Sequence, residues 1–158
     1  MRLKFCLWIC AAVLLWPFAI SAQPSVIGTY RLVSFTAESD NGQSGNLFGK
    51  QPTGYIIITP TRLMVVITAE NRVAGTGTTE KAALLTSTIA YTGKYRIEGA
   101  KLITSVDASW NQAWTGTDQA RTFQIEGNRL VLLTDKAPSF RDPTVMGQAR
   151  LVWDRVPD

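Results

Sequence analysis

IAYTGKYRIEGAKLITSVDASWNQAWTGTDQARTFQIEG, residues 89–127, reads as three consecutive strands. Residues 89–97 and 101–107 flank the pair Glu98-Gly99, and residues 117–125 run up to Gly127-Asn128. Such pairs between β-branched and aromatic runs signal tight hairpins. Because successive side chains of a strand point to opposite sides, period-two alternation assigns faces. Tyr91, Gly93, Tyr95 and Ile97 share one face of their strand. Gln119, Arg121, Phe123 and Ile125 share a face of theirs, opposite Asp118, Thr122 and Gln124. Arg121 is the polar exception. It puts a permanent charge beside Phe123 and Ile125, where an unpaired guanidinium is costly to bury.

The same signals extend outward. Residues 26–37 form a first strand, and residues 55–59 and 63–68 form two more around Thr59-Pro60-Thr61-Arg62. Pro60 fits the second position of a type I turn, so these two make a hairpin. Residues 130–135 and 148–156 complete the set, the last after a Pro- and Gly-bearing loop, 137–147. Residues 80–85 are the one short helix, with Thr79 placed to cap it. Eight strands with mostly local connections predict an all-β fold: an eight-stranded antiparallel up-and-down barrel with one short helix. Closure removes exposed sheet edges, and a barrel of this size is filled by side chains or holds one small ligand. A two-sheet sandwich is the alternative, but its crossovers need connections absent from this chain.

Two segments stay open at this level. The hairpin 55–68 is apolar on both faces, with Ile56, Ile57 and Ile58 opposite Leu63, Met64, Val65, Val66 and Ile67. Either a helix or a partner covers it, or it exposes an apolar patch. Residues 38–53, rich in Gly, Ser and Asn, suit a lid over a site or a surface excursion.

The N-terminus carries Arg2 and Lys4, an apolar run over residues 5–16, and Ile20-Ser21-Ala22 ahead of Gln23. This is the pattern of an export signal peptide, residues 1–22, cleaved after Ala22. The apolar run 5–20 is shorter than a spanning helix needs, and Pro17 interrupts it. Export leaves residues 23–158 as one barrel domain, periplasmic or extracellular, with the membrane met only through the leader. Cys6 and Cys10 both lie in the leader, so the exported chain has no thiol or disulfide chemistry. Trp8 and Ile9 stand where a lipid-attachment site needs small residues before Cys10.

Several functions are excluded by composition. The 46% hydrophobic and 18% charged content describes a chain that folds around a core. Without the leader's two cations, 14 basic residues face 12 acidic ones, scattered singly, which gives nucleic acid no basic stripe to bind. Histidine is absent, which removes Ser-His-Asp and Cys-His catalysis and His-bearing zinc sites. No paired-carboxylate or nucleophile motif identifies a catalytic residue, and no metal or cofactor is called for. Gly75-x-Gly77 lacks the Lys-Ser/Thr ending of a phosphate loop.

The motifs together resemble the lipocalin-like domain family of small bacterial and fungal proteins, calycin-type barrels. Gly28-Thr29-Tyr30-Arg31-Leu32-Val33-Ser34 is similar to the family's opening G-T-W-R-L-V-S, and Gly49-Lys50-Gln51-Pro52-Thr53-Gly54-Tyr55 to its G-x-x-P-x-G-Y. Glu80-Lys81-Ala82-Ala83 matches its short acidic-Ala helix, and Tyr91-Thr92-Gly93-Lys94-Tyr95 its Y-x-G-x-Y strand. Trp114 to Arg121 resembles W-x-G-T-x-Q-x-R. Gly127-Asn128-Arg129-Leu130 and Trp153-Asp154-Arg155 resemble the last hairpin and the closing W-x-R. Tyr30 replaces a Trp, and Ile103, Thr104 and Ser105 stand where relatives carry histidines. The resemblance implies a barrel with a small-ligand pocket, and a structural closure in which Tyr30 packs with Trp153 or Arg155.

The candidate ligand-binding residues are Arg121, Gln119, Tyr91, Tyr95, Tyr55, Trp114 and Phe123. Arg121, oriented by Gln119, either anchors an anionic ligand head or is satisfied internally by Asp107 or backbone carbonyls. The tyrosines line a pocket or fill the core. Trp110 and Trp114 gate the barrel mouth or plug it. The expected occupant is a small, largely apolar or amphipathic molecule. Two alternatives remain: an isomerase or cyclase working through barrel Tyr and Asp groups such as Tyr95 and Asp107, and a protein-interaction module docking through hairpin 55–68. Oligomeric state is not encoded in any motif.

Overall fold

Burial alternates residue by residue along Thr53–Ile58 and Arg62–Thr68, the pattern of strands with one face in a core and one in water. The computed structural model describes residues 25–138 and 144–157. The expected leader, 1–22, and part of the expected loop 137–147 lie outside the described residues. The strands are β1 (Gly28–Ser39), β2 (Ser44–Asn46), β3 (Thr53–Ile58), β4 (Arg62–Thr68), β5 (Thr88–Glu98), β6 (Lys101–Ser109), β7 (Asp118–Glu126), β8 (Arg129–Thr134), β9 (Ala137–Pro138) and β10 (Met146–Arg155), with one helix, α1 (Thr78–Thr86).

Eight of these strands form a closed antiparallel barrel. Each long strand pairs with the next, and β10 pairs with β8 on one side and β1 on the other. Tyr30↔Arg155 and Leu32↔Trp153 are in register across the closing seam, and a shift between Leu32 and Ser34 bends it. The sandwich alternative is thereby replaced by full closure. The turns at one end are tight: Thr59 N–H donates to the Arg62 carbonyl, and Gly99 and Gly127 take the positive φ that such turns require. The other end carries the long connections and α1.

Two expected features differ. Gly77, not Thr79, begins α1, because the Gly77 carbonyl accepts the first helical bond, from Lys81 N–H. The segment 38–53 is neither a free lid nor a loose excursion. Its β2 pairs with β1, Phe48 packs edge-on against Phe35 at 5.5 Å, and Glu70 N–H donates to the Phe48 carbonyl.

The core runs along the barrel axis through Tyr30, Ile56, Ile58, Leu63, Leu102, Leu130 and Trp153. The outer face of β3 and β4 shows the opposite set. Tyr55, Ile57, Met64 and Val66 are exposed beside one another, and α1 buries no residue against them.

Candidate ligand-binding cavity

Inward alternation on β5, β7 and β10 converges on one enclosed space. A cavity of about 240 Å³ lies toward the long-loop end of the barrel, with Ile67, Ile89 and Leu151 among its apolar walls. Its polar groups come from Tyr91, Trp114, Arg121, Thr134 and Trp153. The volume falls below the roughly 300–1,000 Å³ of drug-sized sites, so it takes a small molecule.

Trp114 reaches the cavity because the β6–β7 connection folds back on itself. Asn111 Oδ1 accepts from Ala113 N–H at 3.1 Å, starting a short 3-10 turn over Gln112–Trp114. Gly116 N–H donates to Val106 and Trp110 N–H to Ala90. Three rings then step across the mouth edge to face: Tyr91 to Trp114 at 5.5 Å, and Trp114 to Trp110 at 4.8 Å. Trp114 is part of the wall, and Trp110 backs it from outside.

Arg121 sits at this same level. Its guanidinium lies 5.8 Å from the Trp114 ring, Nη1 donates to the Ala120 carbonyl at 2.6 Å, and Nη2 to Gln119 Oε1 at 3.3 Å. Gln119 in turn donates to Thr117 Oγ1 at 3.1 Å, so it steers the arginine. Among the described residues, Arg121 forms no ion pair within 4.0 Å. Asp107, the acid considered for it, lies on the outer face and pairs bidentately with Arg62 at 2.7 and 3.0 Å. The Ala120 carbonyl and Gln119 Oε1 take one hydrogen bond each from Arg121, and among the described residues no carboxylate matches its charge.

Tyr91 packs on the cavity side, where burial pushes its phenol above the ordinary range and the nearby Arg121 charge pulls the other way. Trp153 is fully buried, and its indole N–H has no hydrogen-bond partner among the described residues.

The remaining candidates disperse. Tyr95 and Phe123 line a separate, larger recess of about 490 Å³ at the tight-turn end, beneath Ser25, Val26 and Ile27. The Tyr95 hydroxyl donates to the Thr59 carbonyl at 3.0 Å. Tyr55 is a correction: Gly54, Ile56 and Ile58 take the inner face of β3, which turns Tyr55 outward at 46% exposure. The Tyr95–Asp107 acid–base pairing is a second correction, since one is tied to Thr59 and the other to Arg62 outside. Tyr30 and Arg155 meet at the barrel floor, while Trp153 spans floor and cavity. Alternation puts Trp153 on the apolar side of the last strand with Leu151 and Arg155, and the structure adds a place in the cavity wall to its closing role.

The lipocalin-like domain model matches residues 27–156, which spans the barrel from β1 to β10. The chain belongs to the lipocalin-like domain family. Among curated proteins, no sequence matches this chain. A lipocalin-like barrel suggests ligand binding in general.

Proposed function

We propose that this lipocalin-like protein is exported and holds one small, largely apolar anion in its interior, with the anionic head at Arg121. The observation that carries the reading is a guanidinium on an apolar cavity wall with, among the described residues, no carboxylate to pair with. Arg121 is part-buried, and a ligand carboxylate would complete its pairing through charge-assisted hydrogen bonds. Gln119 orients the fork, Trp114 stacks beside it, and Tyr91 offers a hydroxyl near by. Export rests on the charged, apolar and small-residue pattern of positions 1–22.

Native mass spectrometry of protein purified without refolding tests the binding. The expected spectrum shows a bound small acid, and Arg121→Gln loses it while keeping the fold. Retention of the same adduct by Arg121→Gln, or an empty wild-type protein that also ignores added short-chain acids, would sink the reading. The intact mass of the exported protein tests the leader, with cleavage after Ala22 expected.

The outer face of the β3–β4 hairpin favours a second reading, a protein-docking face, because four large apolar side chains stand exposed there. Sedimentation over a concentration range checks it for self-association, and a monomer throughout counts against it.

A further inference from the structure

Ile97 shares the inner face of β5 with Tyr91, Gly93 and Tyr95, yet it is 44% exposed. Its cross-strand neighbour Leu102 is 1% exposed, so the barrel floor is packed at Leu102 and left open beside it. The opening is the recess of about 490 Å³ at the tight-turn end, under the N-terminal strap formed by residues 25–27. Tyr95 on β5 and Phe123 and Ile125 on β7 line it, and Ile27, 41% exposed, borders it from the strap. The volume falls within the roughly 300–1,000 Å³ of drug-sized sites. It shares no lining residue with the Arg121 cavity.

The walls of this recess are held in place. All three strap carbonyls have donors: Arg155 Nη2 reaches Ser25 at 3.2 Å, the Tyr30 hydroxyl reaches Val26 at 3.0 Å, and Arg155 Nη1 reaches Ile27 at 2.7 Å. The Tyr95 hydroxyl is fixed to the Thr59 carbonyl at 3.0 Å. A recess pinned in this way exists before a ligand arrives, which removes an ordering cost from binding.

The lining sets the chemistry. None of the described residues around the recess carries a charge. Ser25 Oγ accepts from Ile27 N–H at 3.2 Å, and the Ala100 carbonyl accepts from Phe123 N–H at 2.8 Å, so these polar groups are already paired within the fold. Gln124, the other polar side chain there, is exposed. An ion entering the recess would give up hydration without gaining a charged partner, whereas an apolar molecule would cover Ile27, Ile97 and Ile125.

We infer that the recess is a second binding site, at the opposite end of the barrel from Arg121, and that it takes a small, neutral, apolar molecule. This holds whether or not the Arg121 cavity binds an anion.

The test is a fluorescence titration with N-phenyl-1-naphthylamine, an uncharged aromatic probe that brightens in apolar surroundings. The wild-type protein is expected to give a saturable enhancement. Ile97→Glu and Ile27→Glu each put a carboxylate on the recess wall and should each weaken binding about tenfold. Isoleucine methyl ¹H–¹³C spectra of the wild-type protein then locate the probe. Ile27, Ile97 and Ile125 should move, while Ile67 and Ile89 of the Arg121 cavity and Ile57 of the outer β3–β4 face hold still. Those spectra need no variant and decide the matter should either substitution fail to fold. Movement of Ile67 and Ile89, or of Ile57, without the recess set places the probe elsewhere and overturns the inference. Undiminished binding by both folded variants overturns it as well. So does a wild-type protein with neither enhancement nor methyl shifts, and that result leaves the Arg121 reading untouched.

Discussion

The guanidinium of Arg155 lies 4.6 Å over the ring of Tyr30 and also donates to that residue's hydroxyl, joining the last strand to the first. The Tyr30 hydroxyl passes its own proton on to the Val26 carbonyl at 3.0 Å, and Arg155 Nη1 holds the Ile27 carbonyl at 2.7 Å. One arginine therefore closes the β1–β10 seam and pins the N-terminal segment under the barrel. The opposite end carries Arg121, which among the described residues has no carboxylate partner. The closing contact and the proposed anion site lie at different ends, so either set can be altered separately.

Because Arg155 both stacks and donates, its loss should exceed that of one hydrogen bond. Arg155→Met is expected to cost about 2 kcal/mol in urea unfolding, and Tyr30→Phe about 1 kcal/mol. A double-mutant cycle should return a coupling of about 1 kcal/mol, since each change removes the same contact. Additive costs would mean that the two residues act independently.

Gly28 precedes Tyr30 with φ +149°, and a Cβ built there would collide with Arg155 Nη1. Gly28→Ala meets a conformation that L residues rarely adopt and displaces the seam arginine as well. A loss of roughly 2 kcal/mol or more is expected from thermal or urea unfolding, against about 1 kcal/mol for Gly42→Ala, where the backbone is strained but nothing lies within 4 Å. Gly42 also has a positive φ, +81°, so a comparable loss there would assign the whole effect to backbone strain.

Strand positions and closure were legible because alternation, turn pairs and family motifs agree over the whole barrel. Gln119, Arg121, Phe123 and Ile125 share a face as their spacing implies. Tyr55 was not legible. In the run Tyr55-Ile56-Ile57-Ile58 every residue is apolar or aromatic, so composition carries no phase, and only pairing with β1 and β4 sets it. The site was legible in part for a similar reason. Tyr91, Trp114 and Arg121 come from the continuous run of β5, β6, the β6–β7 connection and β7, whereas Trp153 arrives from β10, the strand that closes the barrel on β1. The destination of Asp107 depended on a shift in the β5–β6 ladder at Thr92 and Gly93, which local spacing does not reveal.

The phase of β3 can be read by mutation. Ile58 is buried in the core and Ile57 is 42% exposed beside Met64. Ile58→Ala should cost about 3 kcal/mol, through lost transfer energy and the cavity left behind. Ile57→Thr should stay within about 0.5 kcal/mol, and it should also weaken any self-association through the outer face. Reversed costs at these neighbouring positions would move the whole strand by one residue.

Acid stability should report the Arg62–Asp107 pair. The Arg62 guanidinium holds the Asp107 carboxyl below its ordinary 3.8 by a direct hydrogen bond and by its charge. A carboxylate whose folded value is depressed stabilises the fold above the unfolded value and loses that contribution as pH falls through the folded one. The relevant window therefore lies at and below pH 3.8. Both partners are solvent-exposed and β4 and β6 are each paired elsewhere, so the effect should be small and salt-sensitive. Arg62→Gln is expected to lower the melting temperature slightly at pH 7. The gap to wild type should close only as pH falls below 3.8 and through the depressed folded value, beyond which Asp107 is neutral in both. Melting curves at several pH values, in low and high salt, check this. A gap that persists undiminished at low pH would assign the Arg62 contribution to its packing and its bond to Thr92 Oγ1 rather than to charge.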